Sequence, residues 1–315
     1  MDTAKPKSDP GYGKPPWLFT GRQDSPSNFC ISHNFLFFCF GSSLYQLHLV
    51  KADAVRSIIP KELKLVEAFG YTLGGFFLAS YDESPAAVFD ELVVIAGIVW
   101  NPPTSCAWAS KVLVNSEEAC VHGRKAVGLP SQVAKFSKKI IPQKQSDNVL
   151  RTWGVGDSLS YMDVEVSETT GGSVSHLCNI TIPTSYSEEK SKWAAPEIKM
   201  NLPSFRQVFR ANWWIESACL CDCSGRTQYN ENLLKYSCEI RCRLSVERPV
   251  VVSRRCTSNE GENGLSEEQS LSVSVMLSKP ILAFKFNSLR MMVEAPVTVS
   301  SKEDASSSSG TLCSS

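Results

Sequence analysis

The distribution of apolar and polar residues along this chain predicts strands. From Ser237 it reads Cys238-Glu239-Ile240-Arg241-Cys242-Arg243-Leu244-Ser245-Val246, apolar alternating with polar, which is the signature of a strand with one face buried. Similar stretches predict strands at Tyr71–Ser80, Leu92–Trp100, Trp108–Val114, Tyr161–Val166, Leu271–Leu277 and Ala283–Phe286. Trp213, Ile215, Cys219 and Cys221 fall on one face of a further strand, Trp213–Cys223. That strand is expected to pair with Ser237–Val246 across the polar connector Ser224–Asn232. Asn201–Phe209 reads as a short helix, and Asn259–Gln269, polar and glycine-containing, as a loop. Many short strands of this kind favour a closed or nearly closed antiparallel β architecture. The fold class is therefore mainly β with some α. Ser300–Ser315 carries a serine run of the kind that stays disordered.

Composition narrows the function classes. The 315 residues are 43% hydrophobic, enough for one large core or two small ones. Lys+Arg and Asp+Glu balance at 32 each, so no global field favours nucleic acid or an anionic surface. The 12 cysteines are spread along a long chain without a secretory signal and read as buried thiols. Cys219-x-Cys221-x-Cys223 lacks the spacing of a zinc knuckle, and no metal or cofactor is expected. Met1–Pro16 is unlike a transit peptide, which makes the cytoplasm the default location.

The segment His122-Gly123-Arg124-Lys125-Ala126-Val127-Gly128-Leu129-Pro130-Ser131-Gln132 carries the chemistry. It resembles the active-site segment of the acetoacetate decarboxylase superfamily, in which two consecutive lysines follow the proline. The first of those lysines forms a Schiff base, and the second lowers its pKa, a case for which acetoacetate decarboxylase is the stock example. Here Ser131 and Gln132 stand in their places. A hydroxyl and an amide cannot condense with a ketone, so Schiff-base decarboxylation is not expected. Longer strings are similar to the plant neoxanthin-deficient proteins: Gly70-Tyr71-Thr72-Leu73-Gly74-Gly75-Phe76-Phe77, Val99–Trp108 and Gly128–Ala134. That family is required for making the xanthophyll neoxanthin, on the route to abscisic acid. The resemblance implies an antiparallel barrel with a central cavity over residues 44–295, residues 1–22 forming its N-terminal segment and 296–315 a tail.

Residues 23–43 do not fit this pattern. In the superfamily an arginine matching Arg22 leads almost directly into the strand that begins here at Leu44. The intervening Phe29–Phe40 stretch is too short and too polar for a membrane helix, which needs about 20 apolar residues. Its Phe, Ser, Cys and Leu content matches pyrimidine-rich codons, so residues 23–43 read as a translated retained intron or a gene-model artefact. A family-variant strand and a membrane-surface anchor remain alternatives.

Four residues are candidates for ligand binding. Arg124 matches the motif arginine, either as a cation for a ligand's polar head or as a clasp on loop carbonyls. Glu91, at the head of Leu92-Val93-Val94-Ile95, resembles the superfamily's pocket carboxylate, and a solvated strand-end glutamate is the alternative. Arg22 matches a substrate-binding arginine. His122 replaces an apolar residue, as packing or as a base. Lys125, read one step along a strand from Arg124, is expected to point away, and Lys138-Lys139 to be a solvated pair. Trp100, Trp108, Phe76, Trp213 and Ile215 are expected to form an apolar cavity wall. Three functions fit: a ligand-binding accessory protein holding a xanthophyll or other apolar molecule, an epoxide-opening isomerase, and a scaffold for neoxanthin-pathway enzymes. Plastid association and a homo-oligomer stay open.

Overall fold

The computed structural model describes residues 14–22, 30–32, 35–37, 43–61, 63–101, 104–142, 160–170, 173–184, 197–202, 234–235, 238–254, 267–295 and 297–298. The first part of the chain gives β1 (Trp17–Gly21), β2 (Cys30–Ser32), β3 (Phe35–Phe37), β4 (Ser43–Lys51), α1 (Ala52–Val55), β5 (Lys64–Leu65), β6 (Tyr71–Glu83), β7 (Phe89–Asn101) and β8 (Thr104–Val114). Helix α2 (Glu117–His122) follows, then β9 (Ser131–Pro142), β10 (Ser160–Thr170), β11 (Ser173–Thr184) and β12 (Glu197–Leu202). The last part gives β13 (Leu234–Lys235), β14 (Cys238–Glu247), β15 (Val251–Ser253), α3 (Glu267–Met276), β16 (Lys279–Val293) and β17 (Val297–Thr298).

Thirteen strands form one large curved sheet running β12-β14-β16-β1-β6-β7-β8-β9-β10-β11-β15, with β4 between β16 and β6 and β5 beside β7. The mainly β expectation holds. Among the described residues one pair, β8 with β9, is parallel, because α2 carries the chain across between them. Among the described residues the two ends of this path do not pair as strands, but a side chain joins the far end to β4. Gln46 accepts from Val250 N at 2.7 Å and donates to Val250 O at 3.2 Å. His48, edge-on to Phe76, completes the clasp through Gln46 and the Val275 carbonyl.

The sheet buries apolar side chains on both faces. One cluster contains Phe76, Val94, Trp108, Val164, Ile180 and Val275, covered by α1, α3 and the curl of β9–β11. The other contains Phe19, Phe77, Tyr81, Phe89, Ile240 and Phe286, with α2 against it. Successive strand residues alternate between the two, as Phe76 and Phe77 do. β6 and β4 meet so closely that a Cβ on Gly75, whose φ is +132°, would collide with the Gln46 carbonyl oxygen.

Several expectations are corrected. Leu271–Leu277 is helical over Glu267–Met276. Leu271, Ser272, Val275 and Met276 recur at helical spacing and form the stripe turned to the sheet, which overrides the local Leu-Ser-Val-Ser alternation. Over Cys238–Arg243 both edges of β14 are taken, by β12 and β16; Trp213–Cys223 lies outside the described residues. Asn201 and Leu202 end strand β12 rather than begin a helix, and residues 203–209 lie outside the description. Glu267–Gln269, expected in a loop, forms the first turn of α3. Val297–Thr298, at the start of the expected tail, pairs with Leu234–Lys235, and residues 299–315 lie outside the description.

The segment after Arg22 leaves the sheet in a particular way. β1 and β4 share one slot between β16 and β6: Gly21 pairs with Tyr81 and Leu44 with Leu78. Arg22 N donates to Ser80 O, so Arg22 and Ser43 hold successive positions along β6. Within the excursion, β2 and β3 pair with each other as a separate ribbon.

Candidate functional site

His122–Val127 of the motif lie on a helix, where Arg124 and Lys125 were read along a strand, and Ser131 and Gln132 begin β9. Ser116 caps α2, its hydroxyl accepting from Ala119 N at 3.2 Å, and Glu117 and Glu118 suit the helix's positive end. The helix widens into a π-turn, Gly123–Val127, and stops at Gly128 in the left-handed region at φ +81°. Single π-turns inside helices accompany functional sites, because they re-aim side chains. A Cβ on Gly123 would clash with the Ser131 hydroxyl, so this turn can press onto β9 only with glycine there. Arg124 Nε donates to the Ser131 carbonyl at 2.6 Å, and Cys120 Sγ donates to the same oxygen at 3.2 Å. Arg124 therefore holds the turn on the strand through a carbonyl. Lys125 is exposed on the π-turn.

His122 and Glu91 meet one aromatic cluster. Buried His122 packs edge-on against Trp17 at 5.2 Å and tilted against Phe19 at 6.0 Å. Phe19 stacks edge-on with Tyr81 at 5.5 Å, and Tyr81 donates its hydroxyl to Glu91 Oε2 at 2.9 Å. Burial pushes the Glu91 carboxyl up to about 7, the Tyr81 hydrogen bond opposing part of that shift. Burial lowers His122 to about 4, so its imidazole is neutral at pH 7. The Cys238 thiol, from β14 on the same face, is driven up by burial and by the nearby Glu91 charge. The Ser131 hydroxyl, 1% exposed, has no hydrogen-bond partner among the described residues.

Glu91, an acid poised near neutrality, the Tyr81 hydroxyl and neutral His122 border one aromatic cluster, and the Ser131 hydroxyl is buried beside the π-turn that follows His122. The cluster can donate or accept hydrogen bonds at an oxygenated group, and Glu91 can exchange a proton near pH 7. Among the described residues no cluster of side chains has the makeup to hold a metal ion. Arg22 is not brought here: its Nε donates to Asp82 at 2.6 Å, and Asp82 follows Tyr81 on the opposite side of β6.

The expected cavity wall is corrected. Phe76 and Trp108 belong to the cluster on the other face, because alternation places their neighbours Phe77 and Ala107 beside Tyr81. Trp100 is 41% exposed at the far end of β7, and Trp213 and Ile215 lie outside the described residues. Lys138 is not simply solvated; its Nζ donates to Asp90 at 2.6 Å and Ser80 at 3.0 Å. Tyr81, Trp17 and Phe19 were missed. Tyr81 continues the Phe77–Ala79 alternation one step past Ser80, where the strand was expected to stop. Also unforeseen is a buried ion pair on the other face. Lys111 Nζ lies 3.0 and 3.1 Å from the two Glu168 oxygens, and Gln269 of α3 donates to Glu168 at 3.1 Å.

No family model matches the chain. Curated relatives do. It is 52% identical to Protein NEOXANTHIN-DEFICIENT 1 of Solanum lycopersicum, over 92% of this chain and 94% of the relative. It is 50% identical to the Arabidopsis thaliana protein of the same name, over 95% and 99% respectively. The chain belongs to the neoxanthin-deficient 1 family. Among solved structures, the enduracididine biosynthesis enzyme MppR complexed with pyruvate aligns over 92% of both chains with a TM-score of 0.50 at 11% identity. An acetoacetate decarboxylase aligns over 92% of both chains with a TM-score of 0.46 at 9% identity. The fold is shared with MppR, and at 11% identity the likeness is one of fold.

Proposed function

We propose that the chain is a non-decarboxylase, ligand-binding accessory protein of neoxanthin formation, upstream of abscisic acid. The name shared by its relatives supports a role in neoxanthin biosynthesis. The observation that carries the ligand-binding reading is the buried Ser131 hydroxyl, without a partner among the described residues, where a Schiff-base lysine would stand. Neutral His122 and Glu91, itself half protonated near pH 7, lie on the same face. Such a surface selects against a small keto acid, which needs fixed cations. It suits a large, weakly polar molecule, such as a xanthophyll, whose oxygenated end meets Glu91 and Tyr81. Contact with enzymes of the pathway, in the cytoplasm or at the plastid, belongs to the same reading.

Quenching of the seven tryptophans by violaxanthin or neoxanthin, against an inert apolar polyene, tests it. Selective quenching that weakens in Glu91→Leu is the expected result, and equal quenching by all polyenes sinks the reading. Borohydride trapping with a keto acid is expected to leave no adduct on any lysine, Lys125 and Lys135 included.

The Glu91 environment also favours a second reading, an epoxide-opening isomerase with Glu91 as proton donor and His122 as base. A product of unchanged mass but altered chromatographic retention from violaxanthin, lost in Glu91→Gln, would select it over the accessory role.

A further inference from the structure

The end of the sheet away from α2 has a different chemistry. Glu91 and Trp100 lie nine residues apart on β7, a span of roughly 30 Å for an extended strand. β6 begins there with a two-residue turn: Ala68 and Tyr71 exchange backbone hydrogen bonds of 2.8 and 3.0 Å around Phe69 and Gly70. Both central residues are left-handed, Phe69 at φ +52° and Gly70 at φ +79°. Asn-Gly is the pair that such a turn prefers, and an aromatic residue at the first position is strained. No packing offsets the strain, because Phe69 is 100% exposed. The tip is held in place by Ala52 N donating to Gly70 O at 2.9 Å. The turn's own folding thus argues against phenylalanine, and the ring is presented outward on a fixed support.

Tyr71 and Leu73, which follow the tip on β6, and Val66 and Trp100, on neighbouring segments at this end of the sheet, are each 41–43% exposed. Tyr71 and Leu73 share one face of β6, and Val66 N donates to Ile98 O beside Trp100. A groove of about 870 Å³ runs alongside, lined in part by Arg56, Pro60, Lys61, Lys64 and Trp100. Among the described residues cations outnumber carboxylates here, in a chain that is neutral overall. Among the described residues, Lys51, Arg56, Lys61, Lys64 and, next to Leu49 across the sheet, Lys279 face Asp53 and Glu67, of which Glu67 is already held by Arg56 at 2.7 Å. Lysine is depleted from the cores of protein–protein interfaces. Aromatic rings interleaved with lysines whose stems lie along apolar surface are instead the composition of a membrane interface.

We propose that this end of the sheet docks on an anionic lipid bilayer, with Phe69 entering the acyl boundary and Tyr71 and Trp100 at headgroup level. The proposal is independent of what the Glu91 cluster binds. Co-sedimentation of the full chain with phosphatidylcholine vesicles, with and without phosphatidylglycerol, tests it. The chain is expected to sediment with the phosphatidylglycerol vesicles. Phe69→Asn is the informative variant: it should raise the melting temperature by relieving the turn while lowering vesicle partition about tenfold, the worth of one buried aromatic side chain. Lys61→Glu with Lys64→Glu should remove the preference for phosphatidylglycerol. The proposal is overturned if the wild-type chain ignores both vesicles, or if Phe69→Asn and Trp100→Ser bind as well as wild type. It is equally overturned if the chain forms a dimer that Phe69→Asn disrupts without vesicle binding, which would make a second copy the occupant.

Discussion

Glu91→Gln isolates the electrostatics of the site from its shape. The amide keeps an oxygen to accept the Tyr81 hydroxyl and cannot ionise. In the folded chain burial lifts the carboxyl from 4.5 to about 7. A raised folded pKa means that the unfolded chain gives up this proton first. The stability tied to the neutral acid is therefore fully present below about pH 4.5 and is lost as pH rises through about 7. At 1.36 kcal/mol per unit the ceiling is about 3 kcal/mol, and the partial accessibility of Glu91 reduces it to about 2 kcal/mol. Glu91→Gln should thus gain about 2 kcal/mol on wild type between pH 4.5 and pH 8, whatever constant offset the amide introduces. His122 works in the opposite direction in part of this window. Its lowered pKa gives stability that is present above about 6.5 and lost as pH falls towards 4, but both proteins share it and it cancels. The Cys238 thiol stays protonated throughout. Urea unfolding of both proteins at pH 5 and pH 8 provides the difference. An equal gap at the two pH values would refute the reasoning, since Glu91 would then ionise as it does in water.

Lys111→Met leaves Glu168 buried without its cation and should cost about 3–5 kcal/mol, while the double variant Lys111→Met with Glu168→Leu recovers most of the loss; chemical unfolding of both checks it. Gln46→Leu strips the partners from the Val250 N–H and C=O and should destabilise by about 2–4 kcal/mol, with faster amide exchange at Val250. Excision of residues 23–42 joins Arg22 to Ser43 within one strand slot, and the shortened chain should fold with a melting temperature no lower than that of the full chain. A shortened chain that fails to fold would show that the excursion is part of the fold.

The sequence by itself carried the fold class. Alternation at Cys238–Val246 and Leu92–Trp100 is a local, period-two signal, and a serine where a Schiff base needs an amine is decided by atoms, not by packing. That Gly21 and Leu44 share one slot along β6 is a matter of pairing, which the folded sheet supplies. Tertiary structure decided the rest. Leu271–Leu277 alternates like a strand, yet the stripe from Leu271 to Met276 finds its burial as a helix over the sheet. Which of Phe76 and Phe77 faces Glu91 depends on register, and a one-residue change of register exchanges the faces. Arg124 became a clasp through its distance to one carbonyl, seven residues away in sequence but adjacent across the π-turn. The neutrality of His122 arises from Trp17 and Phe19, brought to it by a strand about a hundred residues earlier in the chain. Local pattern fixes which way a side chain alternates, whereas burial and pKa depend on what arrives from elsewhere in the chain, and only the folded sheet brings those groups together.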